Sequence, residues 1–266
     1  MASREEDLAV LAAFAGDLAD AAGQVIRPLF RQSGGVEDKA DGSPVTRADR
    51  DAEQAMRGLI AARFPAHGIH GEEQADRQSR GGGLWLLDPI DGTHAFITGL
   101  PLFTTLIAFV EQGRPLLGVV DQPVLRERWV GLAGEKTRLN GRPVATRDCG
   151  GLENARMSLT TPEMMKTSTE QAAFAALRAR VRSVRYGADA YAYAMLASGY
   201  LDLVLESALK PYDFMALVPV VEGAGGRITD WRGRPLRPDS GPRVLAAATP
   251  ALHEAALTVL APALDG

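Results

Sequence analysis

Apolar residues recur at helical spacing from Leu8 through Leu11, Phe14, Leu18, Ala22, Ile26 and Leu29, and this spacing predicts a long amphipathic helix closed by Gly34 and Gly35. Thr46 then stands as the cap of a second helix that reaches about Phe64, where Pro65 stops it. The period changes after that. Short apolar runs at 68–71, 84–87, 104–110, 116–121 and 127–132, bounded by Gly, Pro or charges, predict strands. Glu111-Gln112-Gly113-Arg114-Pro115 and Asn140-Gly141 predict hairpin turns. Beyond about Asn154, strand patterns at 181–184, 201–205, 227–229 and 244–247 alternate with helical patterns near 169–179, 188–198, 214–223 and 250–260. Such alternation suits an α/β layered arrangement. An N-terminal α+β subdomain (1–153) and a C-terminal α/β subdomain (154–266) would pack as one unit with a crevice between them.

Composition narrows the class of protein. With 46% hydrophobic and 23% charged residues the chain reads as soluble and globular. Its apolar stretches, such as 100–110, are short and interrupted by Pro101, Thr104 and Thr105, so no membrane segment is expected. A net charge of −4 works against nonspecific binding to nucleic acid or anionic lipid. The lone Cys149 cannot form an internal disulfide, and the start carries Glu5, Glu6 and Asp7 where a signal peptide needs basic residues. Both point to a cytoplasmic protein.

The stretch from Leu84 to Thr93, Leu-Trp-Leu-Leu-Asp-Pro-Ile-Asp-Gly-Thr, carries the most chemistry. An apolar strand ends in Asp88 and Asp91, and Pro89 stiffens the turn so that both carboxylates can face one point. Hard oxygen ligands at one point suit Mg²⁺. Gly92 and Thr93 could offer backbone N–H groups to a phosphate, especially if they open a helix. The bland alternative is a pair of Asp-containing turns. Other acids have bland readings too: Glu72-Glu73 as a solvated loop, Asp213 as a helix cap, and Thr46 with Asp49 as a capping box. The histidines His67, His70, His94 and His253 show no ligand spacing and read as structural.

Taken together and in this order, these stretches resemble the inositol monophosphatase family of metal-dependent phosphatases, over nearly the whole chain from Lys39 to Gly226. One family signature matches Trp85 through Thr93, the other Tyr212 through Gly226, with Tyr212 where many members carry Trp. The resemblance implies a layered α-β-α-β-α sandwich, usually a homodimer. It implies metal ligation by Glu72, Asp88, the Ile90 carbonyl, Asp91 and Asp213, with two or three Mg²⁺ ions and phosphate at Gly92 and Thr93. Glu72 would help activate a water, and Thr93, oriented by Asp49, would position it. Lys39 resembles a loop lysine near the metals, although a solvated loop residue is the plain alternative.

Within the family the chain is more similar to bacterial histidinol-phosphate phosphatases, through Asp121-Gln122-Pro123-Val124 with Glu127-Arg128-Trp129-Val130-Gly131, whose bland reading is a structural hairpin, through Gly187-Ala188-Asp189-Ala190-Tyr191-Ala192-Tyr193, and through Lys210-Pro211-Tyr212-Asp213. His94 departs from the Lys common there. Asp189 and Glu206 are candidates for a cationic leaving group, beside Gly187 as a further substrate residue; their bland readings are a helix cap and an exposed strand end. The expected partner is therefore a small phosphorylated metabolite: histidinol phosphate, or alternatively inositol-1-phosphate or another polyol phosphate. A non-catalytic binding module fits poorly with a full set of carboxylates. A nucleotide-binding role for Gly81-Gly82-Gly83 fits poorly because those glycines precede a strand; they read instead as a flexible loop over the site.

Overall fold

The computed structural model describes residues 2–32, 36–38 and 44–265. Gly34, Gly35 and Lys39 lie outside the described residues. The chain begins with α1 (Ala2–Leu29), β1 (Val36–Asp38), β2 (Pro44–Thr46) and α2 (Arg47–Arg63). Among the described residues, seven strands then form one sheet in chain order: β3 (Gly68–Gly71), β4 (Leu84–Asp91), β5 (Thr104–Glu111), β6 (Arg114–Gln122), β7 (Glu127–Leu132), β8 (Arg138–Leu139) and β9 (Arg142–Pro143). A short helix, α3 (Thr93–Ile97), follows β4. The second half contributes β10 (Arg156–Leu159), α4 (Ser168–Arg178), β11 (Ser183–Tyr186), α5 (Tyr191–Ala197), β12 (Leu203–Glu206), α6 (Pro211–Phe214), α7 (Leu217–Gly223), β13 (Arg227–Thr229), β14 (Val244–Ala247) and α8 (Pro250–Asp265). Its strands form a second sheet in the order β11-β10-β12-β14-β13.

Three apolar cores fix the layers. Leu18, Ala22 and Ile26 of α1 and Met56 and Ile60 of α2 pack on Trp85, Leu87 and Ile107 of the first sheet. Its other face, with Leu86, Leu106 and Trp129, meets α5, α7 and the inner face of the second sheet at Val204 and Ala246. The outer face of that second sheet is covered by α4 and α8 through Phe174, Leu177, Leu252 and Leu260. The order is therefore α-β-α-β-α. By length and composition the stretch Leu8–Leu29 could cross a membrane, which the sequence reading passed over, but here Leu11, Phe14, Leu18 and Ile26 are buried in the core.

Several boundaries move. β10 was not anticipated, yet it is the parallel neighbour of both β11 and β12. The strand expected at 181–184 forms at Ser183–Tyr186, and the helix expected at 214–223 divides into α6 and α7. The glycine run at 81–83 does not cover the site. It precedes β4, at the opposite end of that eight-residue strand from Asp91, about 23 Å away at strand rise. A Cβ on Gly83 would lie 2.1 Å from the Phe109 ring and one on Gly82 2.4 Å from His67, so packing accounts for these two glycines.

Two histidines hold structure. His67 stacks on Phe64 at 4.6 Å and accepts the Trp85 indole N–H at 3.0 Å. His253 is buried, with Nε2 at 2.8 Å from the Thr229 hydroxyl, which itself donates to the Asp230 carbonyl. The imidazole is therefore the donor of the pair. Burial, with Arg227 adding to it, pushes His253 down to about 4. Folding thus favours the neutral ring. The stability it contributes is fully present above the unfolded value of 6.5 and is lost as pH falls to about 4. Urea titrations from pH 7 to 4 are expected to show His253→Gln losing about 3 kcal/mol less than wild type over that window. The acids of the site respond alike in both chains, so the difference isolates His253; parallel curves would contradict the assignment.

Candidate active site

The site gathers where β4 ends. Asp88 and Ile90 lie in the strand and Asp91 closes it, and the β4–β5 register shifts between Asp88 and Asp91. That irregularity falls at Pro89, which has no N–H for the ladder. Gly92 follows at φ +87, in the left-handed region that glycine enters at little cost, and reverses the chain into α3. Thr93 is the first residue of that helix.

Ligand oxygens of Asp88, Asp91 and Asp213 lie within 4.8 Å of one another. Asp213 arrives from α6 in the second half of the chain. Glu72 follows β3, its own N–H on the Leu87 carbonyl at 3.2 Å, and its carboxyl is hydrogen-bonded to that of Asp88. Each acid is anchored by a backbone N–H: Asp88 by Ile90 (3.0 Å), Asp91 by Ala190 (2.6 Å) and Asp213 by Lys210 (2.7 Å). Each anchor occupies a single carboxylate oxygen.

Electrostatically the cluster is under strain. Burial first, then the charges of Glu72, Asp91 and Asp213, push Asp88 well above the usual carboxylate range. Burial does the same to Asp91, with Asp189 and Asp213 adding to it. Asp213 is pushed up by burial to about 8, against the bond from Lys210. Among the described residues no Lys or Arg forms an ion pair with Asp88, Asp91 or Asp213. Carboxylates converging without an ion-paired Lys or Arg among the described residues are the donor set of a hard divalent ion, so these residues fit a metal.

Thr93 and Asp49 also meet. The Thr93 hydroxyl lies 3.1 Å from the Ile90 carbonyl and 3.4 Å from Asp49 Oδ1. Asp49 is fully buried and does complete the Thr46 capping box, accepting the Thr46 N–H at 2.8 Å. The capping and site readings of Asp49 therefore hold together, one carboxylate oxygen serving each. Asp213 is likewise both the third residue of α6, bonded to the Lys210 N–H, and a neighbour of Asp88 and Asp91.

Asp189 and Glu206 depart from their bland readings. Asp189 does not cap α5, which begins at Tyr191; it sits at φ +43, with Gly187 at φ +82 just before it. Its carboxylate lies against Gly92, where a Cβ would stand 3.1 Å from Oδ2. Burial raises Asp189 to about 6, opposed by His94. Glu206 is not an exposed strand end: it is 3% exposed, held by the Thr160 hydroxyl, the Thr160 N–H at 3.2 Å and the Tyr193 hydroxyl at 3.1 Å. Burial, chiefly, lifts it to about 7. Thr160 is not legible in the sequence because β10, which leads to it, has no readable period.

A protein-family model, described as the inositol monophosphatase family, matches residues 7–264. The chain belongs to the inositol monophosphatase family. It is 50% identical to the bifunctional phosphatase IMPL2, chloroplastic, of Arabidopsis thaliana over 86% of this chain and 67% of that one. It is 36% identical to the histidinol-phosphatase of Chlorobaculum parvum over 82% and 85%. Among solved structures, an inositol monophosphatase from Zymomonas mobilis superposes with a TM-score of 0.86 at 46% identity, covering 97% of this chain and 98% of its own. This inositol monophosphatase-family chain is accordingly a phosphatase acting on phosphate monoesters.

Proposed function

We propose that the chain hydrolyses L-histidinol phosphate to L-histidinol and phosphate with two or three Mg²⁺ ions held by Glu72, Asp88, the Ile90 carbonyl, Asp91 and Asp213. The metal reading rests on the convergence of Asp88, Asp91 and Asp213 within 4.8 Å. Bound there, Mg²⁺ would neutralise phosphoryl charge and acidify water. The chain supplies position. Thr93 Oγ, with its proton directed toward Asp49 or the Ile90 carbonyl, keeps lone pairs for a proton of the attacking water. The N–H groups of Gly92 and Thr93 meet the phosphoryl oxygens. The water oxygen joins phosphorus as the bond to the ester oxygen breaks, and that oxygen leaves with a proton as the alcohol.

The substrate reading rests on Asp189, whose carboxylate borders Gly92 with Glu206 buried behind it. Acids at that edge favour a leaving group with a primary ammonium and a protonatable imidazole over an uncharged polyol. Similarity to the Chlorobaculum parvum histidinol-phosphatase supports this reading. The second reading, inositol-1-phosphate or another polyol phosphate, draws on the Zymomonas mobilis inositol monophosphatase. Phosphate release with Mg²⁺ from histidinol phosphate, inositol-1-phosphate and a sugar phosphate decides between them. A charge-assisted hydrogen bond is worth about 1.5–3 kcal/mol, so Asp189→Ala is expected to lower kcat/KM for histidinol phosphate roughly 10- to 200-fold. The loss on inositol-1-phosphate should be much smaller. Equal losses, or a wild-type preference for inositol-1-phosphate, would leave only the polyol reading.

As a cellular setting we propose the cytoplasm, in line with the unpaired, buried Cys149, and as assembly a homodimer. Leu100, Leu125 and Tyr186 are large apolar side chains at 51%, 45% and 46% exposure that a subunit contact would cover.

A further inference from the structure

Helix α2 carries three charged side chains one turn apart, Asp49, Glu53 and Arg57, and all three point inward. Asp49 and Glu53 are fully buried, and the Arg57 side chain is 11% exposed. Asp49 meets Thr93. The other two address the segment after Glu72. Glu53 Oε2 accepts the Glu73 N–H at 2.8 Å, and its Oε1 accepts the Gln74 N–H at 3.1 Å and Arg57 Nε at 2.7 Å. Arg57 donates in turn to the carbonyls of Gln74 and Ala75, both at 3.0 Å. A carboxylate this deep is costly unless its lone pairs are satisfied. Here they are satisfied by Arg57 and by the N–H groups of Glu73 and Gln74, two consecutive residues that belong to no strand, since β3 ends at Gly71. Gly71 leaves the room for this, because a Cβ there would stand 2.3 Å from Glu53 Oε1.

We infer that Glu53 and Arg57 are positioning residues for Glu72. Upstream, the Glu72 N–H bonds to Leu87 of β4 at 3.2 Å; downstream, the next two peptide N–H groups are clamped by Glu53. Glu72 therefore has fixed backbone on both sides, although it follows the last residue of a strand. The same helix holds Asp49 against Thr93, so α2 sets the separation between the water-positioning hydroxyl and the Glu72 carboxylate. The bland alternative is an i, i+4 ion pair that serves stability alone. Such a pair would not need to bond three peptide units of another element.

The inference rests on reading Glu72 as a metal ligand, and the test separates the two ideas. Mg²⁺ binding to the substrate-free chain is measured by calorimetry, and amide exchange over residues 73–75 by mass spectrometry. The variants are Glu53→Gln, Arg57→Lys and, as a control in the core of the same helix, Ile60→Val. Groups that orient metal ligands typically govern affinity 10- to 100-fold, so Glu53→Gln and Arg57→Lys are expected to weaken Mg²⁺ binding by at least about 10-fold and to speed exchange at 73–75. Added Mg²⁺ should restore most of kcat. Ile60→Val should lower Tm with the Mg²⁺ Kd unchanged. Faster exchange with a wild-type Kd in Glu53→Gln overturns the positioning role, as does an equal Kd change in Ile60→Val. If Glu53→Gln fails to fold, Arg57→Lys carries the same two readouts. A wild-type chain that binds no Mg²⁺ overturns the metal reading, and this inference with it.

Discussion

Asp88→Asn is expected to abolish phosphate release while making the metal-free chain more stable. Asp88 is 2% exposed and stands against Glu72, Asp91 and Asp213, so it is the carboxylate that the other acids disturb most directly. The amide is isosteric and still accepts the Ile90 N–H, so the turn keeps its shape. What disappears is the negative charge that the proposed Mg²⁺ site draws on. A loss on the order of 10³-fold in kcat/KM, about 4 kcal/mol, is expected even at saturating Mg²⁺. In EDTA the same substitution relieves repulsion among buried acids and should raise Tm. The rise in Tm that Mg²⁺ gives wild type should shrink or vanish. Near-normal turnover by Asp88→Asn at saturating Mg²⁺ would falsify the ligand assignment.

Thr93→Ala should cost turnover and leave substrate binding nearly intact. The hydroxyl makes no capping bond to α3 and instead faces Asp49 and the Ile90 carbonyl. Its removal is therefore expected to lower kcat on the order of 10²-fold, with KM little changed. A mere cap would lose roughly 1 kcal/mol of stability and no kcat. If Asp49 acts through Thr93, the double variant Thr93→Ala/Asp49→Asn should be about as slow as the worse single one. Multiplicative losses in steady-state kinetics would mean that the two act separately.

The local motifs were legible because local chemistry determines them. Thr46 and Asp49 read as a capping box from their spacing, and they form one. The apolar run at 84–87 read as a strand; its continuation to Asp91 was hidden because Pro89 looks like a terminator, whereas the register shift absorbs it. What the sequence concealed depends on contacts between distant segments. For Glu206 the exposed strand end stayed open as an alternative because nothing nearby announces its partners Thr160 and Tyr193. For Asp189 a cap stayed open as an alternative because an acid before a helical pattern usually is one, and its positive φ and closeness to Gly92, 97 residues earlier, leave no local sign. Glu53 and Arg57 have the spacing of a solvated pair on a helix surface. Only the loop packed over them makes them interior.

The anchors of the acids differ in reach, and this bears on the order in which the molecule assembles. Asp49, Asp88 and Asp213 are each oriented by a peptide N–H two or three residues away. Such bonds close with little loss of chain entropy and form as soon as their turns do. Asp91 waits for Ala190, a partner 99 residues along the chain. That anchor needs the second half of the chain packed on the first, a contact with a larger loop-closure cost than the local ones. β3 and β4 already bring Glu72, Asp88 and Asp91 together, so the docking that buries the core between the sheets adds only Asp213 to their mutual repulsion.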